Sequence, residues 1–566
     1  MSNAHIFSDR ASLLFLCATL FIVILFSTAC TRDNGSTNTD CDGGVDCEEN
    51  FDDTGVTHDT GPDPDADANP GEDADVHEPP DADVIDESCP TDQIRCDEAC
   101  VDIRFDPDNC GSCGNICPYG VCDLTECLVA CDAALTPFGG GKGTEDIPYT
   151  LCSSAHLQNI AETDHLGDHF IQFEDIDLED VAFDPIGSED FPFTGRFDGD
   201  GFKIQNRSFD DSSATHLGLF GYIGESGHIS DVNLLDVDIS GDTVLGGLAA
   251  SSSGTIESAA VSGIVNGEGN EIGGLLGRNE SSAEVLQSSA NVEVTGYGKV
   301  GGLIGVSIGS VAHSFASGVV TRQHREIGGL VGRSEGTTLF SYATGNTTSA
   351  NRNVGGLIGR CEDHCIVEDS YAEGDVHSTN RVGGLVGGLG VFSRVERSFA
   401  TGNIIIDQAM GGGLVGRLED GSAQIIQSYA TGDVSADDAT SVSGLFGLMR
   451  DDAEVIDSYA TGSVSGQSTV GGLGGAQGSQ LISNCYSIGQ VNGATIHIGG
   501  LIGQRVDSDI ENSFWLEVTS GQTESAGGVG LSSTQMADPD TFSAWDFDDI
   551  WEMSDTEGRP ILQWQE

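Results

Sequence analysis

Lysine is nearly absent from this chain: Lys142, Lys203 and Lys299 are the only three in 566 residues, and Lys and Arg together number 22 against 91 Asp and Glu. So few basic groups cannot build the positive patch that nucleic acid or an anionic lipid surface requires, so nucleic acid is not expected as a partner. No HExxH holds a zinc ion beside a general base, and neither a nucleophile elbow of the GxSxG kind nor a phosphate-binding loop is expected. One long apolar run occurs, Leu13 to Phe26, which leaves the N-terminus as the place where the chain would meet a membrane. Helical periodicity is also missing from the repetitive part, where no segment is long enough for an amphipathic helix.

Repetition is what the chain has in abundance. The phrase GGLxG, or a near variant, recurs with central leucines at Leu219, Leu248, Leu275, Leu303, Leu330, Leu357, Leu385, Leu414, Leu445, Leu473 and Leu501, spaced 27 to 31 residues apart. A second phrase, SYATG or SFASG, follows most of them, as at Ser314-Phe315-Ala316, Ser341-Tyr342-Ala343, Ser398-Phe399-Ala400, Ser428-Tyr429-Ala430 and Ser458-Tyr459-Ala460. Short β-prone pieces separated by Gly, Asn, Asp and Ser predict one coil of a parallel β-solenoid per repeat, about eleven coils spaced about 4.8 Å apart, with leucine stacked on leucine and aromatic on aromatic. The formal charge of −69 implies solubility and self-repulsion and suits a salty or cation-rich surrounding.

Taken in order, residues 1–29 read as a targeting segment, with Arg10, the apolar run and then Ser27-Thr28-Ala29 leading into Cys30. Residues 30–88 are an acidic low-complexity spacer that cannot bury a core. Calcium is the one ion its alternating aspartates would suit, but the glycine and closing glutamate of an EF-hand register are missing, and no cofactor or metal is expected. Residues 89–131 hold nine cysteines, Cys89, Cys96, Cys100, Cys110, Cys113, Cys117, Cys122, Cys127 and Cys131, which read as a disulfide framework in preference to zinc or a redox CxxC. Cys152 would complete that set, Cys41 would pair with Cys47 and Cys361 with Cys365, leaving Cys485 as a buried free thiol.

Residues 132–210 differ from the repeats and read as an N-terminal cap, with Ser153 capping a short helix that carries Leu157 and Ile160. The array spans 211–515. Residues 516–566, with Trp545, Trp551 and Trp564 following Trp515 at the array's end, read as a C-terminal cap over the open core, with a short helix near Gln535.

Three resemblances extend this reading. The N-terminus resembles a bacterial lipoprotein signal, although Ser27 stands where that family usually carries Leu; it implies lipidation of Cys30 and a membrane attachment through the lipid. Asp106 to Cys117 resembles the cysteine-rich repeat of stigma-specific-protein-like modules, which implies no activity. The GGLxG phrases, with Gly139 to Asp146, Phe193 to Gly201, Ser513-Phe514-Trp515 and Gly558 to Trp564, resemble bacterial surface proteins with the GLUG motif, over roughly residues 137–566. That resemblance implies a right-handed parallel β-helix of the kind found in adhesin-like proteins and beside some immunoglobulin-cleaving proteases, with no catalytic residues carried by the repeat.

The expectation is thus a non-enzymatic, lipid-anchored envelope protein, an outer-membrane lipoprotein facing the cell surface, with cell-surface glycans or proteins as its ligands. The alternative is a carbohydrate-active β-helix enzyme, for which Asp369, Glu373, Asp375, Asp433 and Asp457 are the carboxylates to watch. Arg278, Arg333, Arg360 and Arg417, each directly after the last glycine of a phrase, read as partners of the acids that follow them rather than as a stripe for an acidic polymer. Cys361 to Cys365, with His364 between, reads as a disulfide rather than a metal site.

Overall fold

Glycine and alanine set the cross-section of each turn. A Cβ on Gly302 would lie 2.1 Å from the carbonyl oxygen of Gly329 in the next turn and 3.0 Å from the Cβ of Ala316 across the interior, and one on Gly329 would meet Gly356 and Ala343 in the same way. Only a residue without a side chain fits between two backbones that close, so the GG of the first phrase faces the A of the second across a narrow waist. The leucine that follows fills the wider interior, and Leu248, Leu275, Leu303, Leu330, Leu357, Leu385, Leu414, Leu445, Leu473 and Leu501 are all fully buried. Each such side chain contributes about 1.5–3 kcal/mol of apolar burial.

The computed structural model describes residues 89–566 apart from 91–92, 97–98, 105, 107, 118–121, 124, 128–130, 323, 420, 437, 451, 479–480, 506–508 and 566. These residues belong to one compact unit, Asp86–Glu566. The signal segment, the acidic spacer and Cys30, Cys41 and Cys47 lie outside the described residues. The fold is an all-β parallel solenoid built from four sheets. An 11-stranded sheet begins at Phe220–Ile223 and ends at Ile502–Arg505, each strand starting at the residue after a motif leucine. A 9-stranded sheet, from Asn270–Gly273 to Ile498–Gly499, brings the chain into the motif, and a 14-stranded sheet runs from Tyr149–Leu151 to Asp509–Glu511. The 22-stranded sheet takes up the SYA strands and the short strands that follow them, such as Val376–Ser378. Register is kept turn after turn, as in the column Phe170, Phe197, Ile229, Ile256, Val285 and Val311.

Both ends differ from the sequence-based expectation in an informative way. Within 132–210, the strands Tyr149–Leu151, His169–Gln172 and Arg196–Asp198 pair in parallel and continue the 14-stranded sheet, so this segment prolongs the stack as well as closing it. The closure itself is the helix Ser154–Asn159, whose N-cap Ser153 accepts the His156 N–H and whose Leu157, with the following Ile160, is fully buried, beside Phe138 packed 4.4 Å from Tyr149.

At the far end Trp515 plugs the core, and the stretch Glu524 to Ala526 closes over the last turn, taking hydrogen bonds from the Gly500, Leu501 and Ile502 N–H groups. Trp515 follows Ala460 and Ser487 in register, and its ring occupies the space a Cβ on Gly500 would take. Trp545, Trp551 and Trp564 do not cover the open end as expected. They belong to a second apolar cluster on the outside of the turns, with Tyr429, Tyr459, Tyr486 and Phe514. The physical reason is that the SYA strand buries its alanine and turns its aromatic ring outward, leaving an apolar row on the outer surface that the C-terminal segment covers.

Candidate functional site

The outward aromatic row is the surface feature that the repeat builds. Phe315, Tyr342, Tyr371, Phe399, Tyr429, Tyr459 and Tyr486 stack with centroids 4.8–5.0 Å apart and nearly parallel planes. Ring faces are taken by neighbours, so edges and hydroxyl groups face out. Behind the row runs a buried serine ladder. The N–H of Ser314, Ser341, Ser370, Ser398 and Ser428 donates to the Oγ of the serine one turn on, at 3.1–3.2 Å. Each of these serines in turn donates to the carbonyl two residues back, as Ser398 does to Glu396 at 2.7 Å.

Half of the row is covered and half is open. Over the last turns, Trp551 packs against Tyr459 and Tyr486, Trp564 lies 5.7 Å from Tyr429, and Arg559 sits over Tyr459 at 5.0 Å while donating to the Tyr486 hydroxyl. The indole N–H of Trp564 donates to the Gln427 carbonyl and that of Trp545 to the Asn512 carbonyl, both left-handed turn residues at the edge of the row. The row's other part, Phe315, Tyr342 and Tyr371, is half-exposed, with Phe399 at the boundary, its ring 6.3 Å from that of Trp564. Beside it the turn residue is Phe340, 51% exposed and held at φ 48°, where the neighbouring turns have His313, Asp369, Arg397 and Gln427. A bulky side chain in the left-handed region is strained and persists only where its surroundings enforce it. Phe340 stacks on His313 at 4.9 Å, and a similar exposed pair, His364 and Phe392, lies at another corner.

Phe340, Phe392 and the outward orientation of the row escaped the sequence reading. For Phe340 and Phe392 the signal that would have found them is a phenylalanine at a repeat position that otherwise takes polar residues such as Asp369, Arg397 and Gln427, or His364, Ser422 and Asp452.

The residues singled out by sequence have the following places. The cysteines pair as 89–100, 96–113, 110–122, 117–127, 131–152 and 361–365, and Cys485 is free and buried. Cys110 and Cys113 of the CxxC thus sit in different disulfides. Asp369 is paired with Arg397 at 2.8 Å. Asp375 and Asp433 cap backbone N–H groups of Asn403 and Ser463 in the next turn, at 2.8 Å each. Asp457 is buried, accepts hydrogen bonds from Trp551 and Asn484, and burial raises its pKa. Glu373 is exposed. Of the five, Asp369, Asp375, Asp433 and Asp457 are thus engaged within the repeats.

Two serines do fall in the letters GxSxG, in Gly305 to Gly309 and Gly332 to Gly336, contrary to the expectation that the chain has no such motif. Ser307 and Ser334 are fully buried within parallel strands, not exposed on a strand-to-helix turn, so neither stands as a nucleophile. Arg278, Arg333, Arg360 and Arg417 line one row and are all ion-paired, to Glu280, Glu335, Glu362 and Glu419 respectively at 2.7–3.1 Å. Among the described residues no helix is long and apolar enough to cross a membrane.

No family model matches this chain. It is similar to halomucin of Haloquadratum walsbyi, 34% identical over 175 residues that make up 29% of this chain and 2% of that protein. It is also similar to a protein named as a Gly-rich membrane protein in Evansella cellulosilytica, 32% identical over 185 residues, 26% of this chain and 21% of the relative. The chain therefore spans only a small part of the length of either relative. Among solved structures, an immunoglobulin A1 protease-like protein of Bacteroides ovatus aligns over 76% of this chain and 96% of its own, at 18% identity and a TM-score of 0.22, too distant to carry any argument.

Proposed function

We propose that this chain is a non-catalytic cell-envelope protein, attached through a lipid on Cys30, whose solenoid serves in adhesion or surface interaction. The carrying observation is the aromatic row. One half is an apolar outer surface that already holds a polypeptide segment through indole rings and turn carbonyls, and the other half, with Phe340 beside it, presents the same kind of surface uncovered. The engagement of Asp369, Asp375, Asp433 and Asp457 within the repeats supports the non-catalytic reading over the carbohydrate-active one. The membrane protein among the relatives, together with the resemblance to GLUG-motif surface proteins, supports the envelope location.

Expression of the full chain on bacterial cells tests both parts. Cys30→Ala should release the protein into the medium, whereas Phe340→Asn, which suits the left-handed backbone better than Phe, should keep it at the envelope and reduce adhesion of those cells to a target surface several-fold. Retention of the Cys30 variant would end the lipid-anchor reading. Unchanged adhesion in the Phe340 variant would end the assignment to this strip.

A further inference from the structure

Arginine is scarce in this chain, yet six of its guanidinium groups converge on one side of the middle turns. Arg325, Arg352, Arg360 and Arg381 line a hollow of about 460 Å³ together with Glu326, Asn353, Glu362, Val391 and Glu419. Arg333 and Arg417 adjoin it through the same carboxylates. Glu419 is shared by Arg360, Arg381 and Arg417 at 3.0, 3.2 and 2.7 Å, and Glu362 by Arg333 and Arg360 at 3.4 and 3.1 Å. Asp363 is turned to the backbone N–H of Val391, and Glu335 pairs with Arg333. Two cations are left over. No carboxylate lies within ion-pair distance of Arg352 among the described residues, and Arg325 reaches only Glu326, at 4.0 Å. Both are exposed and stand one turn apart on the same row, about 4.8 Å by strand spacing.

Two further features bear on what this hollow could hold. Gly388 interrupts the arginine row in register between Arg360 and Arg417, and a Cβ there would lie 3.3 Å from Asn353 Oδ1 and 3.4 Å from Arg360 Nη1. Asn353 is 4% exposed, and its Oδ1 has no hydrogen-bond partner. A half-turn of that amide would present an N–H to the hollow instead. The remaining guanidinium charges repel one another, and burial with the neighbouring Arg417, Arg352 and Arg360 lowers the Arg381 pKa.

We propose that this hollow binds the carboxylate or sulfate groups of an anionic glycan, with Arg325 and Arg352 as the primary contacts and Arg381, Arg360 and Asn353 behind them. Paired N–H donors on a guanidinium match an oxyanion in geometry and charge. Val391 is the one apolar residue of the lining, so a peptide side chain would find no anchor there, while sugar hydroxyls would find Glu362, Glu419 and Asn353. The chain's overall negative charge does not forbid this, since at physiological salt charges beyond about 8 Å are largely screened and the local surplus decides. The site is separate from the aromatic strip, and it rests on the proposed function only in placing the protein where such glycans occur.

Binding of dextran sulfate, uncharged dextran, polyglutamate and inorganic sulfate to the purified mature chain, measured by calorimetry at low and high salt, tests the assignment. Dextran sulfate should bind and weaken as salt rises, with dextran inert. The double variant Arg325→Ala with Arg352→Ala should weaken it by at least about 10-fold. Gly388→Glu, which places a carboxylate at the position in register with 360 and 417 beside the hollow, should do the same. Phe340→Asn should leave it unchanged, which separates this site from the aromatic strip. Failure of dextran sulfate to bind, binding unchanged from the unsubstituted chain in either variant, or equal binding of uncharged dextran would overturn the proposal. Polyglutamate binding as tightly would overturn its assignment to a glycan, and inorganic sulfate competing with no polymer preference would reduce the site to one for free anions.

Discussion

The serine of SYATG shows how a single hydroxyl joins neighbouring turns. Ser398 Oγ accepts the Ser370 N–H at 3.1 Å and donates to the Glu396 carbonyl at 2.7 Å, all in the dry interior. Ser398→Ala would leave a buried N–H without an acceptor, at a cost of about 1–3 kcal/mol. Because stability in such arrays is a matter of neighbouring repeats, the loss should be local: hydrogen exchange at the Ser370 amide accelerates strongly, while amides several turns away keep their protection. Ser398→Cys should lose less, because Cys485 already fills the equivalent place, donating to the Ser483 carbonyl, with burial pushing its thiol pKa up. Equal protection of Ser370 in the alanine variant would show that the ladder contributes nothing. The stacking of aromatic on aromatic was legible from the 27- to 31-residue recurrence. The serine ladder was not, because periodicity reports which residues are in register but not which side of a short strand they face.

At the level of elements, the C-terminal segment is where sequence and structure part most clearly. Concentrated tryptophans say that an apolar surface needs covering. Which surface depends on the side to which each SYA strand turns its ring, and that is decided by the narrow Gly–Ala waist. Docking of this segment centres on Trp551, fully buried and donating to Asp457 Oδ1 at 3.0 Å. Burial, with a smaller contribution from Asp546, raises the Asp457 pKa above 3.8. In the window between the undocked value and this raised one, the docked state holds the proton and the undocked state has lost it. The docked state therefore binds more protons, and docking weakens as pH rises through that window. Asp457→Asn keeps an acceptor for the indole and removes the charge. It should abolish this slope and make docking at neutral pH more stable, read by tryptophan fluorescence in a urea titration, since every tryptophan lies between 515 and 564. A slope unchanged in the variant would place the titrating group elsewhere.

Across the whole described chain, two different physical strategies meet at the Cys131–Cys152 bond. Residues 89–131 are too few to fold by apolar burial, and among the described residues their buried cluster is Cys110, Cys117 and Cys122, with Cys127 packed against it. That a disulfide framework was needed could be read from the cysteine count, but not its pairing, because ten cysteines at comparable spacings admit many connectivities and only the folded loops choose among them. The turns from 211 to 515 are held by parallel ladders and a continuous core, and their one disulfide, Cys361–Cys365, spans four residues within a single turn. Reduction should therefore separate the two parts. With dithiothreitol present, residues 89–131 should become open to proteolysis, while the solenoid stays resistant and its melting temperature moves by only a few degrees, roughly the shift expected for a change near 1 kcal/mol. Loss of both parts together would mean that the bond at Cys131 transmits stability into the stack. A module still protected after full reduction would mean that its fold rests on contacts other than its four internal disulfides.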